Sequence, residues 1–311
     1  MSDIQLFRLS EAGVRELAVQ SPQVEKSLQT LFEHNLEALL GVRFLASEFS
    51  TGPVHGGRID TLGIDEDGSP VIIEYKRATN ENVINQGLFY LDWLMDHRRD
   101  FQWLVLEKLG KDAADRVEWS APRLVCIAGD FTRYDGHAVK QIARNIELIR
   151  YRRFDDDLLM VELVHAPRAT PPRPTSPVQI VDTGNAPAKD PYLSQRIDYR
   201  LGNADAQLRD IWDAATSFLT ALGDDVQVVE LKLYHAFKRI KNFACLEIYP
   251  SARSVTAYVK LDPDSITLEP GFTRDVRKVG HFGTGDLEIV MRTLDDVTRA
   301  QSLFQRAYDG V

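Results

Sequence analysis

The stretch Gly57-Arg58-Ile59-Asp60-Thr61-Leu62-Gly63-Ile64-Asp65-Glu66-Asp67-Gly68-Ser69-Pro70-Val71-Ile72-Ile73-Glu74-Tyr75-Lys76 reads as two strands around a polar turn. Asp65 to Ser69 supplies the turn residues, and apolar residues alternate on either side. Centred near Asp67, the hairpin pairs Ile64 with Pro70, Leu62 with Ile72 and Asp60 with Glu74. Strand side chains alternate between faces. Asp60, Leu62, Ile72, Glu74 and Lys76 therefore share one face, and Ile59, Thr61, Val71, Ile73 and Tyr75 share the other.

Two carboxylates opposite each other, roughly 5 Å apart, repel. A shared proton, a nearby cation or a bound divalent metal relieves the repulsion. Lys76 supplies one positive charge on the same face. Oxygen ligands with open positions suit Mg²⁺ or Mn²⁺. The simpler alternative is a surface hairpin with a solvated ion pair. Leu62 and Ile72 on that face argue that it packs against something.

An Asp on one strand followed by Glu-x-Lys on the next resembles the PD-(D/E)xK nuclease superfamily, with Ile59 where the pattern has Pro. Gly57 to Asp60, Val71 to Arg77, then Gln86 and Tyr90 resemble the nuclease domain of NucS-type mismatch and branched-DNA endonucleases, best over residues 22 to 95. The resemblance implies a restriction-endonuclease-like mixed sheet flanked by helices. It also implies a further acid from a preceding helix, matched here by Glu25.

Ser21-Pro22 is a helix start, with Ser at the N-cap and Pro at the first helical position. Val24, Leu28, Leu31, Phe32, Leu36, Leu39 and Leu40 then recur at helical spacing, and Glu25, Leu28 and Phe32 fall on nearly one side. Glu33 and Glu37 are fallback acids whose simpler reading is a solvated face. A second helix is expected over Glu81–His97, with Gln86 and Tyr90 four apart on one side. A buried Gln and a core Tyr are the alternative there.

The resemblance implies that Asp60, Glu74 and the Tyr75 carbonyl bind one Mg²⁺ or Mn²⁺. Glu25 then ligates it through water or helps a second ion. Lys76 stabilises phosphate charge or holds the attacking water, Gln86 orients that water, and the Tyr90 hydroxyl reaches the same site. Arg58 and Arg77 flank it and suit bidentate phosphate contacts.

The chain has 311 residues, 44% of them apolar and 27% charged, which fits two globular domains. No apolar run approaches the roughly 20 residues that span a membrane. Met1 to Leu6 lacks a basic flank and a long apolar stretch, so no signal peptide is evident and a cytoplasmic location is expected. Cys126 and Cys245 are expected as buried free thiols. The net charge of −9 runs mildly against nucleic-acid binding. Basic clusters nevertheless occur at Lys76-Arg77, His97-Arg98-Arg99 and Arg150 with Arg152-Arg153. They point to modest, salt-sensitive affinity.

A nuclease-like α/β domain is expected over residues 1–165. It should contain a strand Ile4–Leu9, a helical segment Glu11–Val19, and a strand Arg43–Phe49. Further on come a strand Arg123–Gly129, a helix Ala138–Asn145, and strands Ile146–Phe154 and Leu158–Val164 around an Asp155-Asp156-Asp157 turn. A Pro-rich linker follows over 166–197. A smaller α+β domain occupies 198–311, with helices Ala206–Leu222 and Asp295–Tyr308 and strands Val226–Leu233, Ala244–Tyr249, Val255–Leu261 and Leu287–Met291. Gly280-His281-Phe282-Gly283-Thr284-Gly285 and Leu233 to Arg239 resemble a small uncharacterised domain often found behind nuclease-like modules. The glycines suit a phosphate-cradling loop or a tight turn with His281 buried. Lys232, Lys238, Arg239 and Lys241 near Tyr234, Phe237 and Phe243 suit nucleic-acid contact.

Two functions compete. One is a metal-dependent endonuclease hydrolysing DNA phosphodiester bonds in repair or defence, on single-stranded, branched or mismatched substrates, with a homodimer plausible. The other is a non-catalytic nucleic-acid-binding or protein-interaction module that retains the nuclease fold.

Overall fold

The computed structural model describes residues 4–11, 13–20, 25–76, 83–155, 157–166 and 193–310, with Glu25 described in its main chain only. The helix start at Ser21-Pro22, the residue Arg77 and most of the Pro-rich stretch lie outside them. The chain divides into two compact units, Met1–Pro167 and Arg168–Val311.

The first unit opens with a hairpin of β1 (Phe7–Ser10) and β2 (Gly13–Glu16). The helix expected over Glu11–Val19 is absent. All eight hairpin residues are exposed, so no apolar face rewards a helix there. Arg8 and Arg15 instead tie the hairpin to Asp157 and Asp155.

The main sheet contains β3 (Val42–Ser50), β4 (Arg58–Asp65), β5 (Pro70–Lys76), β6 (Arg123–Ala128), β7 (Asn145–Phe154) and β8 (Leu158–His165), in that spatial order. β5, β6 and β7 run parallel, and the remaining neighbours are antiparallel. Helix α1 (Glu25–Leu40) covers one face, where its Phe32 ring meets Tyr75 edge-on at 5.9 Å. A short helix α2 (Gly52–His55) links β3 to β4. Helix α3 (Val83–Asp96) covers the other face, with Val83, Leu91 and Leu94 buried against Leu62, Ile72 and Leu124. Helices α4 (Arg98–Leu109), which the sequence reading missed, and α5 (Lys111–Asp115) extend this layer. The next helix, α6 (Arg133–Gln141), begins earlier than expected because Thr132 and Asp135 form a capping box.

The hairpin register is as spaced in the sequence: Ile64 pairs with Pro70 and Leu62 with Ile72. Asp65 fastens the turn by accepting from the N–H groups of Asp67 and Ser69. Its other oxygen meets Arg123, which grips Glu147 through two 2.8 Å bonds. This buried triad locks the turn end of β4 and β5 to β6 and β7.

The second unit is α+β. Helices α7 (Ile197–Gly202), α8 (Ala206–Ala221) and α9 (Leu294–Asp309) accompany a six-stranded antiparallel sheet. Its strands are β9 (Gln227–Glu230), β10 (His235–Lys238), β11 (Asn242–Tyr249), β12 (Ser254–Val259), β13 (Thr273–Asp275) and β14 (Leu287–Met291), in the order β13-β14-β12-β11-β10-β9. One sheet face buries Leu246, Ala257 and Ile289 with Trp212 and Phe304 of α8 and α9. Phe237 and Phe243 belong to this core, and Lys238 is only 2% exposed. Tyr234 is buried in a separate cluster, so none of the rings of the expected basic-aromatic nucleic-acid stripe faces solvent.

Candidate active site

The β4–β5 ladder stops at Thr61–Ile73. Beyond it, the expected main-chain pairing of Asp60 with Glu74 is replaced by side-chain bonds. The Asp60 N–H donates to Glu74 Oε1 at 3.2 Å, and the Tyr75 N–H donates to Asp60 Oδ2 at 3.0 Å. With pairing lost, strict alternation also lapses, and Ile59 packs in the cluster of Leu62 and Ile72 instead of the opposite face.

Glu74 is fully buried, and its Oε2 has no hydrogen-bond partner among the described residues. Burial, then the nearby Asp60 charge, pushes its carboxyl up to about 9, with Glu48 adding to the rise and Lys76 opposing it. Asp60 and Lys76 are half-buried. Tyr75 is buried, and desolvation holds its phenol protonated well above the usual range.

Helix α3 brings two expected residues to this end of the sheet. The Tyr90 hydroxyl accepts from the Arg58 N–H and from Gln86 Nε2, both at 3.2 Å. Gln86 is thus bonded to a side chain, and Tyr90 is buried with its hydroxyl turned to the strand entering the site. The close approach depends on glycine: a Cβ at Gly57 would lie 2.5 Å from the Tyr90 ring, and one at Gly87 would lie 2.4 Å from Leu124.

Glu48 escaped the sequence reading. It sits in β3 at φ 53°, beyond a bulge between Phe44 and Ala46. Its carboxylate bonds Arg58 Nε at 2.7 Å and Lys26 Nζ at 3.2 Å. Alternation within Ala46-Ser47-Glu48 was the available signal, because register places Ser47 beside Thr61 and Glu48 level with Asp60. Lys26 also brings the start of α1 to this end, although the Glu25 side chain lies outside the described residues. The fallback acid Glu33 serves the opposite face, accepting from Thr61 Oγ1 at 2.6 Å and from Gln29 Nε2 at 2.9 Å. Glu37 is exposed.

Among the described residues, no group of three or more His, Cys, Asp and Glu side chains converges to hold a metal ion. Two carboxylates and main-chain oxygens do suit Mg²⁺, which usually takes one or two carboxylates and keeps several waters. The unpartnered Glu74 Oε2 is the atom through which this carboxyl could engage such an ion.

Several known proteins are similar. Residues 198–310 match the family described as "Domain of unknown function (DUF5655)". An uncharacterized protein of Haemophilus influenzae is 27% identical over 311 residues, covering 98% of this chain and 99% of its own length. Two solved structures match 44% of this chain: the EndoMS–double-stranded DNA complex, at 20% identity, and a repair endonuclease from Pyrococcus abyssi, at 19%. Both have a TM-score of 0.24, a likeness too distant to carry an argument. The matched segment spans 47% and 51% of those two chains, about half of each. Among the described residues, no helix is long and apolar enough to cross a membrane.

Proposed function

We propose that the first unit is a metal-dependent endonuclease of the PD-(D/E)xK kind acting on DNA. The observation that carries the reading is the buried Glu74 carboxyl, with one oxygen unpartnered, held against Asp60 on the strand that also carries Lys76. A buried unpaired acid is destabilising unless it is protonated or neutralised. Asp60, Glu74 and the Tyr75 carbonyl would hold Mg²⁺ or Mn²⁺. When bound, the metal lowers the pKa of a water and stabilises charge on a phosphate oxygen.

The chain's own groups do the rest. The Tyr75 N–H fixes the Asp60 carboxylate, and the Asp60 N–H fixes one Glu74 oxygen, so both acids are oriented before any ligand arrives. Lys76 places a cation beside developing negative charge. Gln86 is aimed by Tyr90 and is positioned to orient a water. Arg58, with Arg77, would contact flanking phosphates, although Glu48 now holds the Arg58 guanidinium.

Because burial favours the protonated Glu74 carboxyl while metal ligands must be deprotonated, a second reading stands beside the first, a non-cleaving module that binds nucleic acid or protein. Cleavage of labelled single-stranded, duplex, flap and mismatched DNA with Mg²⁺ or Mn²⁺, wild type beside Lys76→Ala and Asp60→Ala, separates the two. Cleavage by wild type and its loss in both variants is expected. Cleavage that survives both substitutions rejects the assigned site, and binding without cleavage on any substrate supports the second reading.

A further inference from the structure

A second buried carboxylate stands unfinished in the C-terminal unit. Cys245, Glu247 and Tyr249 of β11 and Tyr258 of β12 point to the sheet face opposite helices α8 and α9. Glu247 is 0% exposed. Its Oε2 accepts from the Tyr249 hydroxyl at 2.6 Å and from Arg200 of α7 at 3.1 Å. Its Oε1 has no partner among the described residues.

The strand pairing sets Glu247 opposite Thr256 and Cys245 opposite Tyr258, so Tyr258 and Glu247 are diagonal neighbours on one face. The Tyr258 hydroxyl donates to that of Tyr249, which donates to Glu247. Over the Tyr258 ring lies His281, with centroids 4.2 Å apart and planes within 4°. The reading of His281 as a buried turn residue needs correction: it is half-buried and carried on the glycine loop from Gly280 to Gly285. Gly283 and Gly285 both have positive φ, and a Cβ on either would meet Cys245 or the Tyr258–Val259 backbone within 2.7 Å. The loop thus lies flat on the sheet, and a planar ring already occupies the Tyr258 face.

We propose that Glu247, Tyr258 and the His281 loop form a binding site for a planar nitrogen heterocycle of the nucleobase type. The base takes the place of the His281 ring on Tyr258 and presents an N–H edge to Glu247 Oε1. A carboxylate pairs with ring N–H and exocyclic amino donors, and an aromatic face accepts any base by stacking. Oε1 is buried while His281 is stacked on Tyr258, so binding requires the loop to lift as the base enters. This site is independent of the proposed nuclease site and stands or falls without it.

The test is calorimetric titration of the full chain with guanosine, with inosine, which lacks the exocyclic amino group, and with a short single-stranded oligodeoxyguanosine. Guanosine is expected to bind more tightly than inosine. Glu247→Gln, which keeps the shape but removes the charge, is expected to weaken guanosine about tenfold, the usual scale for a charge-assisted hydrogen bond. His281→Ala alters only a half-buried loop residue and is expected to tighten binding by vacating Tyr258. Stronger binding of the oligomer identifies a base within a strand as the ligand, and equal binding identifies a free nucleoside. No binding of any probe by wild type, equal affinity in Glu247→Gln, or no tightening in His281→Ala would overturn the proposal.

Discussion

Asp60 and Glu74 hold each other through the main chain: the Asp60 N–H donates to the Glu74 carboxyl, while the Asp60 carboxyl accepts from the residue after Glu74. The two acids sit together where the ladder opens, and neither can turn away without breaking a bond to backbone.

That arrangement makes stability depend on pH. Glu74 has an ordinary carboxyl in the unfolded chain but titrates near 9 when folded. Between about 4.5 and about 9 the folded state binds the extra proton, so stability falls as pH rises through this window. Glu74→Gln removes the dependence. In thermal melts with chelator present, the variant should exceed wild type at pH 8 and converge with it near pH 4. Equal slopes for both proteins would show that Glu74 is not strained.

Mn²⁺ should reverse the same penalty. At a hundredfold excess over its Kd, a folded-state ligand adds about 2.7 kcal/mol. Melting with and without Mn²⁺ should show a rise in wild type and none in Asp60→Ala. An equal rise in both would place the ion elsewhere.

Gly87→Ala should loosen α3 from the sheet. The added Cβ meets the Leu124 side chain at 2.4 Å, and overpacking of this kind costs about 1–3 kcal/mol. Because Gln86 and Tyr90 ride on the same helix, any metal-dependent cleavage should fall beyond what lost stability explains. A shorter residue at 124, Leu124→Ala, should recover part of it.

Arg123→Met leaves Asp65 and Glu147 buried without their cation. Breaking such a cluster costs about 3–5 kcal/mol, and denaturant unfolding should show a loss of this size. A change below about 1 kcal/mol would mean that water enters and solvates the acids.

Much of the first unit is legible in its sequence, because short-range rules decide it. The turn chemistry of Asp65 to Ser69 and the alternation around it give the Leu62–Ile72 register. The strands flanking Asp155 follow in the same way, as does the last helix of the second unit, α9. What escaped depends on partners outside the segment itself. Gly13–Glu16 is a strand because Phe7–Ser10 lies beside it, and nothing in its own spacing says so. Glu48 reaches the site only through a bulge and a positive φ. Phe237 and Phe243 are buried by packing with α8 and α9, which local spacing around Lys238 does not show. Turn chemistry set Asp60 across from Glu74, and the family resemblance joined Gln86 and Tyr90 to them; the structure brings all four to one end of the sheet.

The two thiols have a practical consequence. Cys126 is buried in the central strand beside Glu74, and burial keeps it protonated far above neutral pH. Cys245 is buried too, and its sulfur accepts from the Thr284 N–H of the glycine loop at 3.4 Å. The loop lies directly against Cys245, with Gly283 packed on its side chain, so lifting the loop removes that cover while the sheet stays intact. The rate of its alkylation is therefore a clock for loop opening, and Cys126 in the same molecule reports whether the protein has simply unfolded.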